Sequence, residues 1–61
     1  MKVGDIVRIN DLCADSTLVG TMGLVVETGV TEDWHSWLLA TVLTNKGAVR
    51  FREDTPQLEA A

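Results

Sequence analysis

Cys13 and His35 are the one thiol and the one imidazole of the chain, so they are its only possible nucleophile–base pair. A working dyad also needs a third group to orient the imidazole and donors to hold an oxyanion. No motif supplies either: the chain has no nucleophile elbow and no phosphate-cradling glycine loop. Three carboxylate pairs, Asp11 with Asp15, Glu32 with Asp33 and Glu53 with Asp54, fall in polar connecting stretches. A hard cation needs several convergent oxygens, and solvated turn residues at this spacing do not provide them. One cysteine excludes a thiolate cluster, and with one histidine it leaves a compact zinc site short of ligands. No metal or cofactor is expected, and the residues argue against an enzyme.

The remaining chemistry is basic. Arg50 and Arg52 share one face of a strand pattern and, with Arg8 and Lys46, form the one set that could meet phosphates. Against them stands the balance of five Lys and Arg to nine Asp and Glu, a net charge of −4. That field disfavours both nucleic-acid backbones and anionic membrane surfaces. The longest apolar runs are four or five residues, far short of a membrane span. Met1-Lys2 leads at once into Gly4-Asp5, which is not a secretory signal, and a free cysteine suits a reducing compartment. The expectation is a cytoplasmic protein, or part of a virion assembled in the cytoplasm.

The elements that must position these groups read as short strands. The organising stretch is Gly20-Thr21-Met22-Gly23-Leu24-Val25-Val26-Glu27, a glycine-punctuated strand running from about Gly20 to Thr28. Its glycines predict a bend or a close backbone approach. Before it, Val7 and Ile9 share one face of a first strand, with Ile6, Arg8 and Asn10 on the other. Asp11 to Val19 reads as a long polar loop. After it, Trp37 to Thr44 forms a third strand, the β-branched content of Ala40 to Thr44 outweighing a helical spacing of Trp34, Trp37, Leu38 and Ala40 or Thr41. Asn45-Lys46-Gly47 is a tight hairpin turn, its glycine supplying positive φ. Ala48 to Arg52 alternates cleanly, and Gln57-Leu58-Glu59 can add a short fifth strand.

The pattern Gly4-Asp5-x-Val7-x-Ile9, a loop, Gly20-x-x-Gly23-x-Val25, a tight hairpin, Val49-x-Phe51 and a final Leu58-Glu59 resembles a Src-homology-3-like small barrel. The Gly–Asp opening and the glycine-containing second strand are similar to the KOW module of transcription and ribosomal proteins. Short phage proteins of unknown role share the layout, as does the variable chain of ferredoxin–thioredoxin reductase, an accessory subunit. The resemblance implies a single all-β domain over residues 1–61, a five-stranded small barrel with its hairpin at 45–47. It also implies an alternative function, nucleic-acid binding through Arg8, Lys46, Arg50 and Arg52. Where RNA-binding KOW modules place Lys or Arg around the glycines, this chain has Thr21 and Met22. Polyproline-binding barrels use a tyrosine-rich groove, and this chain has no tyrosine.

A different feature points to assembly. The first and fourth strands have one apolar and one partly charged face, whereas the second and third are apolar on both. A barrel this small has one interior, so either parity leaves apolar side chains outside. Met22, Leu24, Val26, Trp34, Trp37, Leu39 and Leu43 are the candidate interface. A chain of 61 residues sits near the lower limit for folding alone, and without a disulfide or metal, association is the support left to it. The sequence therefore predicts a non-catalytic protein–protein module, working as a homo-oligomer or as a small accessory subunit of another protein.

Overall fold

Alternating apolar residues and glycine-marked turns give a meander. The computed structural model describes residues 1–31 and 37–61. Its strands are β1 (Ile6–Ile9), β2 (Met22–Val30), β3 (Leu39–Thr44), β4 (Gly47–Arg52) and β5 (Leu58–Ala60). They form one antiparallel sheet in the order β4-β3-β2-β1-β5, with no helix among the described residues. The all-β expectation holds. β4 and β5 are the two edges and do not pair with each other, so the sheet is open where a closed barrel was expected.

One parity points inward. Val7 and Ile9 of β1, Val25 of β2, Val42 of β3 and Phe51 of β4 make a single buried cluster, joined by Leu18. Ile9, Val25 and Val42 are fully enclosed, at 0 % exposure. Among the described residues no helix or second sheet covers them, so the sheet must curl around its own inner face to exclude water. The loop between β1 and β2 completes the cover, which the polar reading of that loop did not anticipate. Leu18 enters the cluster and Cys13 packs against it, together with Val49 and Leu58.

The inward parity is set by Gly23, which pairs with Val7 on one side and Thr44 on the other. A Cβ at this position would collide with Val42 Cγ1 and lie 3.3 Å from the Leu43 carbonyl oxygen and 3.4 Å from Thr44 Cγ2. Gly23 is thus a close-approach glycine, and it does not bend the strand. The bends of β2 lie further on, at register shifts between Val25 and Glu27 and between Glu27 and Val30. Gly20 falls in the turn before β2, which starts at Met22 and ends at Val30, two residues later at each end than the pattern suggested.

The β3–β4 hairpin forms as predicted. Gly47 adopts φ +107°, and the Thr44 hydroxyl accepts from the Lys46 N–H (3.1 Å) while donating to the Gly47 carbonyl (2.9 Å). At the other edge, Asn10 fastens the loop and β5 to β1. Its amide donates to the Pro56 carbonyl (2.7 Å) and to Glu59 Oε2 (3.0 Å), and its oxygen accepts from the Leu12 N–H (3.0 Å). At 8 % exposure this is a buried polar group with its hydrogen bonds made, as such groups must have.

Candidate functional site

With Val7, Gly23, Val25 and Val42 inward, their neighbours on β1, β2 and β3 face out. Register then decides which of these meet. Ile6 of β1 lies opposite Leu24 of β2, Leu24 opposite Leu43 of β3, and Leu43 opposite Ala48 of β4. An apolar row therefore crosses four strands on the outer face. Met22 and Val26 flank Leu24 along β2, Val26 being the extra residue where the strand bulges. Ile6, Met22, Leu24, Val26 and Leu43 are 37–51 % exposed, with their side chains on the face opposite the core.

Charged and hydroxyl groups border this row. Arg8, opposite Met22 on one flank and Glu59 on the other, holds a long ion pair of 4.0 Å with Glu59. On the far side of the row, Glu27 faces Thr41, whose hydroxyl lies 3.4 Å from Glu27 Oε1, and Thr41 in turn lies opposite Arg50. The patch thus has an apolar middle and a polar rim of both signs, the anatomy of a protein contact surface.

Of the residues predicted for this surface, Met22, Leu24, Val26 and Leu43 lie on it together. Leu39 does not. Its register, opposite Arg52 and Val30, gives it the parity of Thr41 and Leu43, yet it is only 6 % exposed. The two irregularities of β2 break the simple alternation at this end, and Leu39 and its neighbour Ala40 are both enclosed. Trp37 precedes β3 instead of opening it; its ring is partly exposed and stacks under the Arg52 guanidinium, 4.6 Å from the ring centroid. Trp34 lies outside the described residues, as do Glu32, Asp33 and His35, and with them the Cys13–His35 pair. Ile6 was missed because the first strand's outer face reads as mixed, Ile6 standing with Arg8 and Asn10. Only its register against Leu24 reveals that it extends the apolar row.

The four basic residues are not gathered at one point. Arg8 is on β1, while Arg50 and Arg52 are on β4, with two strands between them and roughly 14 Å away at the usual interstrand spacing. Arg52 is tied to Asp54 by a bidentate pair (3.1 and 3.0 Å), and the Lys46 ammonium donates to the Thr17 carbonyl (2.6 Å). The same loop carries Asp15. Hydrogen bonds from the Thr17 hydroxyl (2.6 Å) and the Thr17 N–H (3.0 Å), with the nearby Lys46 charge, hold the Asp15 carboxyl below its usual 3.8. This is an Asx-type turn that caps a loop. Asp11 and Asp15 lie in the loop that precedes β2, and among the described residues no three of His, Cys, Asp and Glu stand close enough to hold a metal ion.

A groove of about 570 Å³ runs along β5 and the start of β1, lined by Asp5, Ile6, Val7, Thr55, Leu58 and Glu59 among others, so that it adjoins the apolar row at Ile6. No helix among the described residues is long and apolar enough to cross a membrane. Comparison with protein-family models, with curated proteins and with solved structures finds no significant match.

Proposed function

We propose that this chain is a non-catalytic assembly module that works by docking the outer face of β1, β2 and β3 onto protein, as a homo-oligomer or as a small accessory subunit. The observation that carries this reading is the continuous row Ile6–Leu24–Leu43–Ala48, with Met22 and Val26 beside it. Five large apolar side chains stand exposed together here, and the largest apolar patch on a small protein, typically about 300–600 Å², is often its functional surface. The meander of β1 to β4 with its tight hairpin, and β5 returning beside β1, support, beside this, the small-barrel reading of the fold. In this role the chain needs no catalytic group, metal or cofactor, and its place is within an assembly built inside a cell.

The test is a comparison of tagged wild type with Leu24→Asp in the native host. Leu24 is outside the core, so the variant keeps its strand circular dichroism and its melting temperature to within a few degrees, and it loses the proteins or copies that co-purify with wild type. A variant that folds and keeps the same associates sinks the proposal. The alternative, nucleic-acid binding through Arg8, Lys46, Arg50 and Arg52, has less support. Three of these cations have neighbours within the fold, Arg8 in Glu59, Lys46 in Thr17 and Arg52 in Asp54, and the net charge is −4. It predicts mobility shifts of RNA or DNA that fade steeply with salt, and no shift at low ionic strength removes it.

A further inference from the structure

We propose that the groove along β5 is a second interaction surface, which takes an extended segment of another protein, bearing Lys or Arg, as a sixth strand on the free edge of β5. The proposal goes beyond the docking of the outer face and does not depend on it. Three observations meet in the groove.

The first is the edge itself. β5 ends the sheet, and among the described residues no strand pairs with its outer side. The Asn10 N–H donates to the Gln57 carbonyl (2.8 Å), and the Ala61 N–H donates to the Ile6 carbonyl (3.1 Å). Alternate residues of an antiparallel strand turn their polar groups to the same neighbour, so Gln57, Glu59 and Ala61 face β1. The N–H and C=O groups of Leu58 and Ala60 therefore point away from the sheet, a row ready for strand addition.

The second is the apolar floor beside that row. Val7, a core residue, lines the groove, and Leu58 and Ala60 stand on its side of the sheet, Ala60 opposite Val7 and Leu58 opposite Ile9. Glu53 and Thr55, which follow β4, line it too, so the groove lies where the open sheet leaves β4 and β5 unjoined. An added strand would close that seam, laying every second side chain on the floor.

The third is charge, which decides the occupant. The charged side chains of the groove are Asp5, Glu53 and Glu59, and no Lys, Arg or His lines it. Asp5 accepts from the Lys2 N–H (2.9 Å) and Glu53 from the Gly29 N–H (2.7 Å). Neutral donors thus fix both carboxylates in place without cancelling their charge, and Arg8 meets Glu59 only at 4.0 Å. An apolar floor between acidic walls selects a segment in which apolar and basic residues alternate. The chain's own alternating basic pair, Arg50 and Arg52, is already built into β4, with Arg52 bridged to Asp54. The fitting segment comes from another protein.

The experiment titrates the isotope-labelled chain with a blocked heptapeptide of alternating lysine and valine, followed by magnetic resonance and amide exchange. The Leu58 and Ala60 amides should shift and exchange at least tenfold more slowly, whereas the Glu59 amide, already turned to β1, should change little. Binding should weaken with salt. Asp5→Asn with Glu53→Gln, which keeps both acceptors, should weaken it about 2- to 30-fold, the worth of two exposed ion pairs. Should that variant lose its strand circular dichroism, a glutamate–valine heptapeptide carries the charge test, and wild type should not bind it. No binding at millimolar peptide, or equal binding of both peptides, overturns the proposal. So do shifts at Leu24 and Leu43 without protection of Leu58 and Ala60, which would seat the segment on the outer face. Protection of Leu58 and Ala60 in the chain alone, lost on dilution, would give the edge to a second copy and overturn it equally. The outer-face reading is decided separately, by Leu24→Asp.

Discussion

Replacing Gly23 by alanine tests the assignment of inside and outside on which the surface reading depends. If Gly23 faces the core, the new Cβ meets Val42 Cγ1, with the Leu43 carbonyl and Thr44 Cγ2 close behind. Val42 is fully enclosed, so its methyl has nowhere to turn. Overpacking of this kind costs about 1–3 kcal/mol, against which alanine regains about 0.5–1 kcal/mol through the unfolded chain. The net loss is up to about 2.5 kcal/mol, and for a domain of this size each kcal/mol lowers the melting temperature by roughly 4–8 °C. Thermal unfolding followed by circular dichroism measures it directly. A double-mutant cycle gives the cause: Val42→Ala alone costs about 2 kcal/mol as a cavity, but in its presence Gly23→Ala should become neutral or stabilising. If Gly23→Ala raises the melting temperature in the wild-type background, then Gly23 faces solvent. Met22 and Leu24 would then be core residues, and the proposed contact surface would not exist.

Three further outcomes follow from the packing. Leu39→Asp should abolish the cooperative melt, because it puts a carboxylate at an enclosed position, whereas a folded Leu39→Asp would return this residue to the outer surface. Asn10→Ala should cost about 2–3 kcal/mol, since it strands the Leu12 N–H and releases Pro56 and Glu59, and amide exchange should quicken first in β5; even protection across the sheet would contradict that role. Asp15 should titrate below 3.8, and Thr17→Ala should move its midpoint back up by removing the hydroxyl donor. Its folded pKa is the depressed one, so its stabilising contribution is complete above the unfolded value and fades as pH falls through the folded one. Asp15→Asn should accordingly flatten the acid limb of stability below about pH 4, and an unchanged limb would contradict the turn's contribution.

The strands were legible because their signals are local. Val49 and Phe51 alternate with Ala48, Arg50 and Arg52, and Asn45-Lys46-Gly47 has the turn chemistry of a hairpin, so β3 and β4 followed from neighbouring residues alone. The inside of β2 was not legible. Both its parities are apolar, and the deciding fact is the approach of Val42 to Gly23, a contact between residues nineteen positions apart. Leu18 was hidden for a similar reason: in a loop rich in Asp, Ser and Thr its leucines, Leu12 and Leu18, follow no strand periodicity, and only the curl of the sheet gives Leu18 a core to enter. Leu39 had the right parity and the wrong depth, because two bulges in its partner strand reset what alternation implies. Most of the site was foreseen as residues, but its shape depended on register, which joined Ile6 to Leu24 and Leu43.

An outer row of large apolar residues has a competing explanation, which is that the sheet itself wants them. Cross-strand apolar pairs stabilise a sheet by roughly 0.2–1 kcal/mol each, and a fold with one six-residue core cluster has reason to use every such pair. The distribution of pairs on this face argues otherwise. Away from the middle, Arg8 of β1 meets Glu59 of β5 and Glu27 of β2 meets Thr41 of β3, polar pairs that serve pairing equally well and cost nothing in water. The exposed large apolar residues of the strands are the ones around Leu24, whereas at the apolar pair further along, Val30 with Leu39, Leu39 is enclosed. Pairing preference alone would scatter the two kinds of pair. Apolar pairs at the centre and polar pairs at the border are what a surface needs when its middle is to be dry and its edge wet.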